Sequence, residues 1–141
     1  FLIEELSGTV VSYKYRKGKL KKIQRISTLV AGDMRFPGSA DIHVSSDGKF
    51  LYATNRSTVN NIAVYSIHKK GTLSLLGHQS TLGNGPRNFN FDPTEKFLLV
   101  GNQNSDEIVI FERNSETGLL KDAGKRIAVG KPVCIKWIPA D

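Results

Sequence analysis

Cysteine is nearly absent from this sequence, and its scarcity already constrains the fold. Cys134 is the only cysteine in 141 residues, so an internal disulfide is excluded, and a chain of this length can bury a core without one. Cys134 lies in the apolar stretch PVCIKWI, which predicts a buried structural thiol rather than a nucleophile. Hydrophobic residues make up 39% and charged residues 23%, which predicts a folded domain rather than a disordered chain.

Long apolar runs are also missing. No stretch approaches the roughly 20 apolar residues that a membrane-spanning helix needs, and the opening FLIEELSG lacks the basic and apolar segments of a secretory signal peptide. We therefore expect no membrane partner and a cytoplasmic location. The three histidines have no metal-ligand spacing, and no phosphate-binding P-loop is present, so no cofactor is expected. The chain starts at Phe1 without an initiating methionine, which we interpret as a cut from a longer protein.

Positive charge is concentrated in one segment. The chain has 20 Lys and Arg against 13 Asp and Glu, a net charge of +7, and much of the excess lies in YKYRKGKLKK at 13–22. These residues surround a turn at Gly18, which favours a solvated hairpin, with a polyanion-binding patch as the alternative. No zinc-knuckle or RNA-binding aromatic motif accompanies them, so a nucleic-acid partner is not expected.

An internal repeat determines the predicted fold. DIHVSSDGKFLYATN at 41–55 matches NFNFDPTEKFLLVGN at 88–102, and IAVYSI at 62–67 matches IVIFER at 108–113. A third, partial copy without its first strand opens the chain. Five aligned pairs are each 47 residues apart, namely Asp47/Thr94, Lys49/Lys96, Phe50/Phe97, Leu51/Leu98 and Asn55/Asn102.

Each copy has the pattern of four short strands separated by turns rich in Gly, Asp, Asn and Ser, and no helical period is present. Four-stranded units at this repeat length are typical of a β-propeller. We predict an all-β fragment of about three four-stranded antiparallel blades. The last three strands of one blade lie in 1–30, complete blades in 40–82 and 86–130, and the first strand of a closing blade in 132–138. This count gives twelve strands, fewer than the four or more blades of a ring need.

The same segments carry a family resemblance. EELSGTVVSY, DIHVSSDGKFLYATNR, GPRNFNFDPTEKFLLVGNQNSD and PVCIKWIP, which follow one another along the chain, resemble the C-terminal portion of the seven-bladed lactonase propellers. That family includes bacterial 6-phosphogluconolactonases and carboxymuconate cyclases. The resemblance covers essentially the whole chain, and it implies that the chain supplies under half of a seven-bladed ring.

The resemblance also implies a catalytic site. In the family, a second strand ends in an Asn-Glu-Leu motif whose Glu acts in the site, and here EEL puts Glu5 at that place with Glu4 replacing the Asn. The next blade carries an Asn-Arg pair, here Asn55 and Arg56, whose Arg binds an anion and the transition state. The family's active-site His and another Arg lie on earlier blades, which this chain does not contain. Glu5 is therefore expected as the acid/base and Arg56 as the anion ligand. An exposed carboxylate at a strand end is the alternative for Glu5, and a surface salt bridge is the alternative for Arg56.

Four further residues are predicted to bind substrate. Asp41 and His43 alternate with apolar residues, so one polar face of their strand can line the central channel. Arg87 heads the next first strand, where a guanidinium can hold phosphate or carboxylate, and Gln103 occupies the repeat position of Arg56. A hydrogen-bonded structural histidine is the alternative for His43, and an ion pair between blades is the alternative for Arg87.

The leading functional prediction is hydrolysis of a sugar-acid lactone such as 6-phosphogluconolactone, a step of the pentose phosphate pathway. A carboxymuconate cyclase-like lactonising enzyme and a non-enzymatic propeller that serves as a binding scaffold are the alternatives. Because loss of one electrostatic donor typically costs about a hundredfold or more, the chain alone is expected to be inactive. The expected partners are the lactone and either the remaining blades of the parent propeller or a second copy of the chain.

Overall fold

The computed structural model describes residues 1–138, which form eleven β-strands and no helix. The strands are β1 (Leu2–Glu4), β2 (Thr9–Arg16), β3 (Lys19–Ser27), β4 (Ser39–Val44), β5 (Phe50–Asn55), β6 (Asn61–Ile67), β7 (Leu73–Ser80), β8 (Pro86–Phe91), β9 (Phe97–Asn102), β10 (Glu107–Arg113) and β11 (Leu120–Ala128). Each short strand is bounded by turns at the Gly, Asp and Asn positions that the sequence indicates.

The strands form three antiparallel sheets, each built from strands that follow one another in the sequence. The first sheet contains β1 to β3, the second β4 to β7 and the third β8 to β11. A four-stranded antiparallel meander is the unit of a propeller blade, so the predicted all-β propeller fragment is confirmed. The division into blades at 1–30, 40–82 and 86–130 stays our interpretation of these sheets.

The second sheet is packed on both faces because successive side chains of a strand point to opposite sides. Phe50 and Tyr52 of β5 enter a core shared with Phe89 and Phe111 of the third sheet. The intervening residue, Leu51, packs instead in a second core that includes side chains of the first sheet. Alternation along one strand therefore holds three sheets together. The members of the second core are Val10, Leu51, Ala53, Ala63, Tyr65 and Leu73, with Ile3, Ile26, Ile42 and Ile67 packed against them.

A glycine turn tightens the contact between the second and third sheets. Gly118 precedes β11 with a φ of +74°, and a Cβ at this position would collide with the ring of Phe50. The hydroxyl of Tyr52 donates a hydrogen bond of 2.7 Å to the carbonyl oxygen of Gly118. Only glycine suits this place, because it combines a left-handed backbone with a close approach to an aromatic ring.

The twelfth predicted strand, at 132–138, is not formed in the part of the chain that the structure describes. The segment instead lies beside β8, where the backbone N–H of Ile135 donates to Asn88 Oδ1 at 2.7 Å. Asn90 Nδ2 donates to the Ile135 carbonyl at 3.0 Å. Side chains thus hold the segment, while a strand needs a backbone ladder that no neighbouring strand supplies here. For the same reason Cys134 is exposed, and its predicted burial is wrong.

Candidate functional site

Three sequence-predicted residues occupy the same place in the three sheets. Glu5 directly follows β1, Arg56 directly follows β5, and Gln103 directly follows β9. These strands pair with β2, β6 and β10 respectively. The register makes them structural equivalents, because the last residues of β1, β5 and β9 pair with the first residues of the strands that follow. The repeat therefore brings a carboxylate, a guanidinium and an amide to one edge of neighbouring sheets.

Glu5 and Arg56 are in direct contact across the boundary between the first and second sheets. Arg56 Nη2 donates to Glu5 Oε1 at 2.6 Å, and Arg56 Nε donates to the Gly38 carbonyl at 2.8 Å. The Arg56 side chain is 19% exposed, whereas that of Glu5 is 60% exposed. Two hydrogen bonds fix the guanidinium plane, and among the described residues no group donates to Glu5 Oε2 or accepts from Arg56 Nη1. Both free atoms are available to a ligand.

Arg87 lies in the same cleft. A cleft of about 280 Å³ is lined by Ile3, Glu5, Ser39, Ala40, Arg56 and Arg87. Arg87 is exposed, and among residues 1–138 it forms no ion pair or side-chain hydrogen bond. Two guanidinium groups against one carboxylate give the cleft a net positive charge, which favours an anionic ligand.

Gln103 lines a neighbouring cleft that shares the same two central residues. This cleft of about 330 Å³ is lined by Glu5, Phe36, Gly38, Arg56, Ser57, Gly85, Gln103 and Asn104. Gln103 is half-buried, and its backbone N–H donates to the Gly85 carbonyl at 2.9 Å. Glu5 and Arg56 therefore stand between Arg87 on one side and Gln103 on the other.

A buried asparagine supports this arrangement from below. Asn55 immediately precedes Arg56 and is fully buried. Its Oδ1 accepts hydrogen bonds of 2.7 Å from the hydroxyls of both Thr28 and Ser39, while its Nδ2 donates to the Thr28 carbonyl and to Asn61. Asn55 thus ties the end of β5 to the first sheet and to the start of β4, which positions Arg56.

Asp41 and His43 lie apart from both clefts and bind each other. Asp41 Oδ2 accepts from His43 Nε2 at 3.1 Å, from Asn88 Nδ2 at 2.6 Å and from the Phe89 backbone N–H at 3.0 Å. The His43 ring also packs edge-on against the Phe89 ring, with centroids 4.7 Å apart. These contacts link β4 to β8, and they correspond to the structural alternative for His43 rather than to a place beside Glu5.

The charge of Asp41 is stabilised by its partners. Burial raises the pKa of this carboxyl, but the hydrogen bonds from His43 and from the Phe89 backbone lower it. Together these hydrogen bonds outweigh the effect of burial, so the pKa lies below its usual range. An ionised carboxylate that accepts several hydrogen bonds is well suited to connect two sheets.

Sequence reasoning missed the residues around the start of β4. Phe36, Gly38 and Ser39 line the clefts, and the Gly38 carbonyl holds Arg56. A signal was present, because Gly38 and Gly85 are 47 residues apart and their carbonyls accept hydrogen bonds from Arg56 and Gln103, which are also 47 apart. The repeated glycine therefore marks the same rim in both sheets.

Two absences apply to the part of the chain that the structure describes. Within residues 1–138, no three His, Cys, Asp or Glu side chains are grouped so that they could hold a metal ion. The same residues include no helix long and apolar enough to cross a membrane.

Known proteins are similar to this chain in both sequence and fold. A 6-phosphogluconolactonase of Formosa agariphila is 46% identical over 129 residues, covering 90% of this chain and 36% of the relative. A 6-phosphogluconolactonase of Bacillus subtilis is 36% identical over 141 residues, covering 98% of this chain and 40% of the relative. The periplasmic gluconolactonase of Pseudomonas aeruginosa superposes with a TM-score of 0.92 at 31% identity, covering 96% of this chain and 38% of that structure.

The chain spans less than half the length of these relatives. The sequence model of the family described as the 7-bladed β-propeller lactonases matches residues 1–137. The match begins at the N-terminus of this chain, and the expected placement in the C-terminal portion of the ring stays a prediction. A family match over nearly every residue, together with the three antiparallel sheets, establishes the relationship: this chain belongs to the seven-bladed β-propeller lactonase family.

Proposed function

We propose that the propeller containing this chain hydrolyses 6-phosphogluconolactone to 6-phosphogluconate, with Glu5 as the general acid/base and Arg56 as an anion ligand. The observation that carries the proposal is the contact between Glu5 and Arg56 in a cleft that also contains Arg87, whose guanidinium has no partner among residues 1–138. The relatives named 6-phosphogluconolactonase support the choice of substrate.

Glu5 is suited to activate water. Lactone opening requires a base that takes a proton from water while the water oxygen attacks the carbonyl carbon. Glu5 lines the cleft, its Oε1 is occupied by Arg56, and its Oε2 has no protein donor in the described residues. In the proposed reaction Oε2 takes the proton, and the protonated carboxyl then gives it to the ring oxygen as the bond between that oxygen and the carbonyl carbon breaks.

Arg56 and Arg87 supply positive charge for different parts of the substrate. Attack on the lactone turns the carbonyl oxygen into an oxyanion, which a fixed donor stabilises most when no reorganisation is needed. Arg56 is fixed by Gly38 and Glu5, so its free Nη1 is the donor in this proposal. Arg87 has no protein partner in the described residues and is proposed to hold the phosphate, since a guanidinium forks onto phosphate oxygens.

The remaining blades of the parent propeller are part of the proposal. The chain covers only 36–40% of its curated relatives, and the resemblance puts an active-site His and another Arg on earlier blades. The 141 residues alone are therefore expected to be inactive. A cytoplasmic location is also proposed, although the Pseudomonas relative is described as periplasmic.

The test measures 6-phosphogluconolactone hydrolysis above the spontaneous rate, using the full-length propeller that contains this chain. Glu5→Gln and Arg56→Ala are each expected to lower kcat about a hundredfold or more. Glu112→Gln and Arg126→Ala serve as matched controls, because both residues belong to the third sheet and line neither cleft.

Two failures are distinguishable in this experiment. A wild-type propeller that does not exceed the spontaneous rate would overturn the proposed function. A wild-type propeller that is active while both site variants retain its rate would leave the function standing and overturn the assigned residues.

A further inference from the structure

A concave surface separate from the two clefts of the candidate site lies between the first and second sheets. We call it the basic groove: it has a volume of about 690 Å³ and is lined by Tyr13, Lys14, Lys21, Lys22, Ile23, Lys69, Lys70 and Gly71. Its walls are the hairpin of β2 and β3 on one side and the turn between β6 and β7 on the other. Five lysines from two sheets therefore border one concave surface.

The two segments that border the basic groove account for the positive charge of the whole chain. Nine of the 20 Lys and Arg residues lie in 13–25 and 68–70, and these two segments contain no Asp or Glu. The remainder of the chain has 11 basic and 13 acidic residues, so it is slightly negative. None of the five groove lysines forms an ion pair with another described residue.

The repeat shows that the fold does not require these lysines. In the third sheet, the equivalent turn is NSETGL at 114–119, which contains no lysine and one glutamate. The outer strands of the other two sheets also lack the purely basic charge of β3. Strand β7 has no Lys, Arg, Asp or Glu, and β11 carries both signs and pairs Arg126 with Asp122 at 2.8 Å. Protection of an edge strand needs charge or twist but not a single sign.

The basic groove lies far from the candidate active site along the strands. β2 begins at Thr9, which pairs with Glu4 next to Glu5, and it ends at Arg16 beside the groove. Likewise β6 begins opposite Asn55 and ends at Ile67, just before the turn at Lys69. The two surfaces are at opposite ends of the same strands, so a ligand in the groove is independent of the lactone.

We propose that the basic groove binds a linear polyphosphate, a chain of phosphate groups without bases or lipid tails. Lysine ammonium groups are compact charges that bind phosphate oxygens well. Lys14 and Lys21 are direct cross-strand neighbours, an arrangement in which like charges repel and a bound anion relieves the repulsion.

The shape and lining of the groove favour this ligand over two other polyanions. Single-stranded nucleic acids bind basic grooves that also provide aromatic rings on which bases stack. Tyr13 is the one aromatic residue that lines the groove, and it is half-buried. A bilayer presents a flat surface, whereas the basic groove is concave.

The proposal is tested by titrating labelled inorganic polyphosphate with the full-length propeller that contains this chain at about 0.1 M salt. The double variant K69E/K70E is expected to bind about tenfold or more weakly, and K69R/K70R to bind like the wild type. K121E/K125E makes the same charge change on β11 and is expected to alter the affinity less than about twofold. Lys69 and Lys70 are exposed turn residues, and circular dichroism verifies that each variant keeps its β structure.

The outcomes separate a specific groove from general attraction. Equal weakening by K69E/K70E and K121E/K125E would overturn the site, because net charge alone would then explain binding. An oligothymidylate of matched charge, or a vesicle containing anionic lipid, that binds as tightly as polyphosphate would overturn the choice of ligand. Polyphosphate binding that is strong, weakened by added salt and lost only in K69E/K70E would support both.

Discussion

The side chain of Asn55 accepts a hydrogen bond of 2.7 Å from the Thr28 hydroxyl, so the strand end that carries Arg56 is tied to the first sheet. The repeat provides a natural comparison. Asn102 holds the equivalent place in the third sheet and donates to the Thr81 carbonyl at 3.0 Å, but its buried Oδ1 has no partner among the described residues. Pro86 stands where the second sheet has Ser39, so the second hydroxyl donor is lost.

This difference predicts unequal effects on stability. Asn55→Ala leaves several buried groups unsatisfied and is expected to cost about 3 kcal/mol, whereas Asn102→Ala removes one hydrogen bond and is expected to cost about 1 to 2 kcal/mol. Urea unfolding of both variants, monitored by circular dichroism, measures the free energies of unfolding. Equal losses would contradict the role given to Asn55.

Arg87 is predicted to distinguish phosphorylated from unphosphorylated lactones. In the full-length propeller, Arg87→Gln is expected to raise the KM for 6-phosphogluconolactone about tenfold or more, because an unpaired guanidinium contributes charge-assisted hydrogen bonds to phosphate. The KM for gluconolactone is expected to change little. Parallel increases for both substrates would show that Arg87 does not contact the phosphate.

Asp41 is predicted to make the contact between the second and third sheets sensitive to acid. Its pKa is lowered in the folded protein, so its ionised form stabilises the fold above the unfolded pKa of about 4, and this contribution disappears as pH falls through the lower folded value. Asp41→Asn is expected to cost about 2 kcal/mol at neutral pH. The gap between wild type and variant in unfolding free energy should narrow from about pH 5 to pH 3. A gap that is constant with pH would rule out an ionised Asp41 as the cause.

Gly118 and Gly124 form a matched pair of positions. Both have a φ near +70°, but a Cβ at Gly124 meets nothing within 4 Å, whereas one at Gly118 would collide with the Phe50 ring. Gly124→Ala is expected to cost about 1 kcal/mol from backbone strain alone. Gly118→Ala should cost about 2 kcal/mol more because the sheets must separate. The difference in thermal midpoint between the two variants measures that packing contribution.

The exposed apolar residues at both ends of the fragment predict association. Leu2, Tyr15 and Leu20 are exposed in the first sheet, and Val133, Trp137 and Ile138 are exposed beyond the third. Soluble monomers rarely leave large apolar patches uncovered, and the lengths of the relatives indicate further blades of the same propeller as the natural occupant. Without them, the chain at micromolar concentration is expected to sediment as an oligomer. A stable species of 15.6 kDa that binds no apolar dye would contradict this.

The repeat made much of the architecture predictable. Matches such as Phe50 with Phe97 and Asn55 with Asn102 depend on local strand and turn patterns, and these patterns correctly gave the strands of all three sheets. The segment at 132–138 has the same pattern but forms no strand, because a strand also requires a neighbour with which to pair. Cys134 is exposed for the same reason.

The sequence by itself determined the repeat and the equivalence of Glu5, Arg56 and Gln103, because these follow from local periodicity and spacing. Only the tertiary structure decided which of them touch. Glu5 contacts Arg56, which is 51 residues away in the sequence. Asp41 and His43 instead contact residues of β8 and do not line the clefts. A one-dimensional pattern specifies the face of a strand on which a side chain lies. The side chain that it meets depends on how neighbouring sheets pack, and that depends on long-range contacts such as those of Asn55 and Gly38.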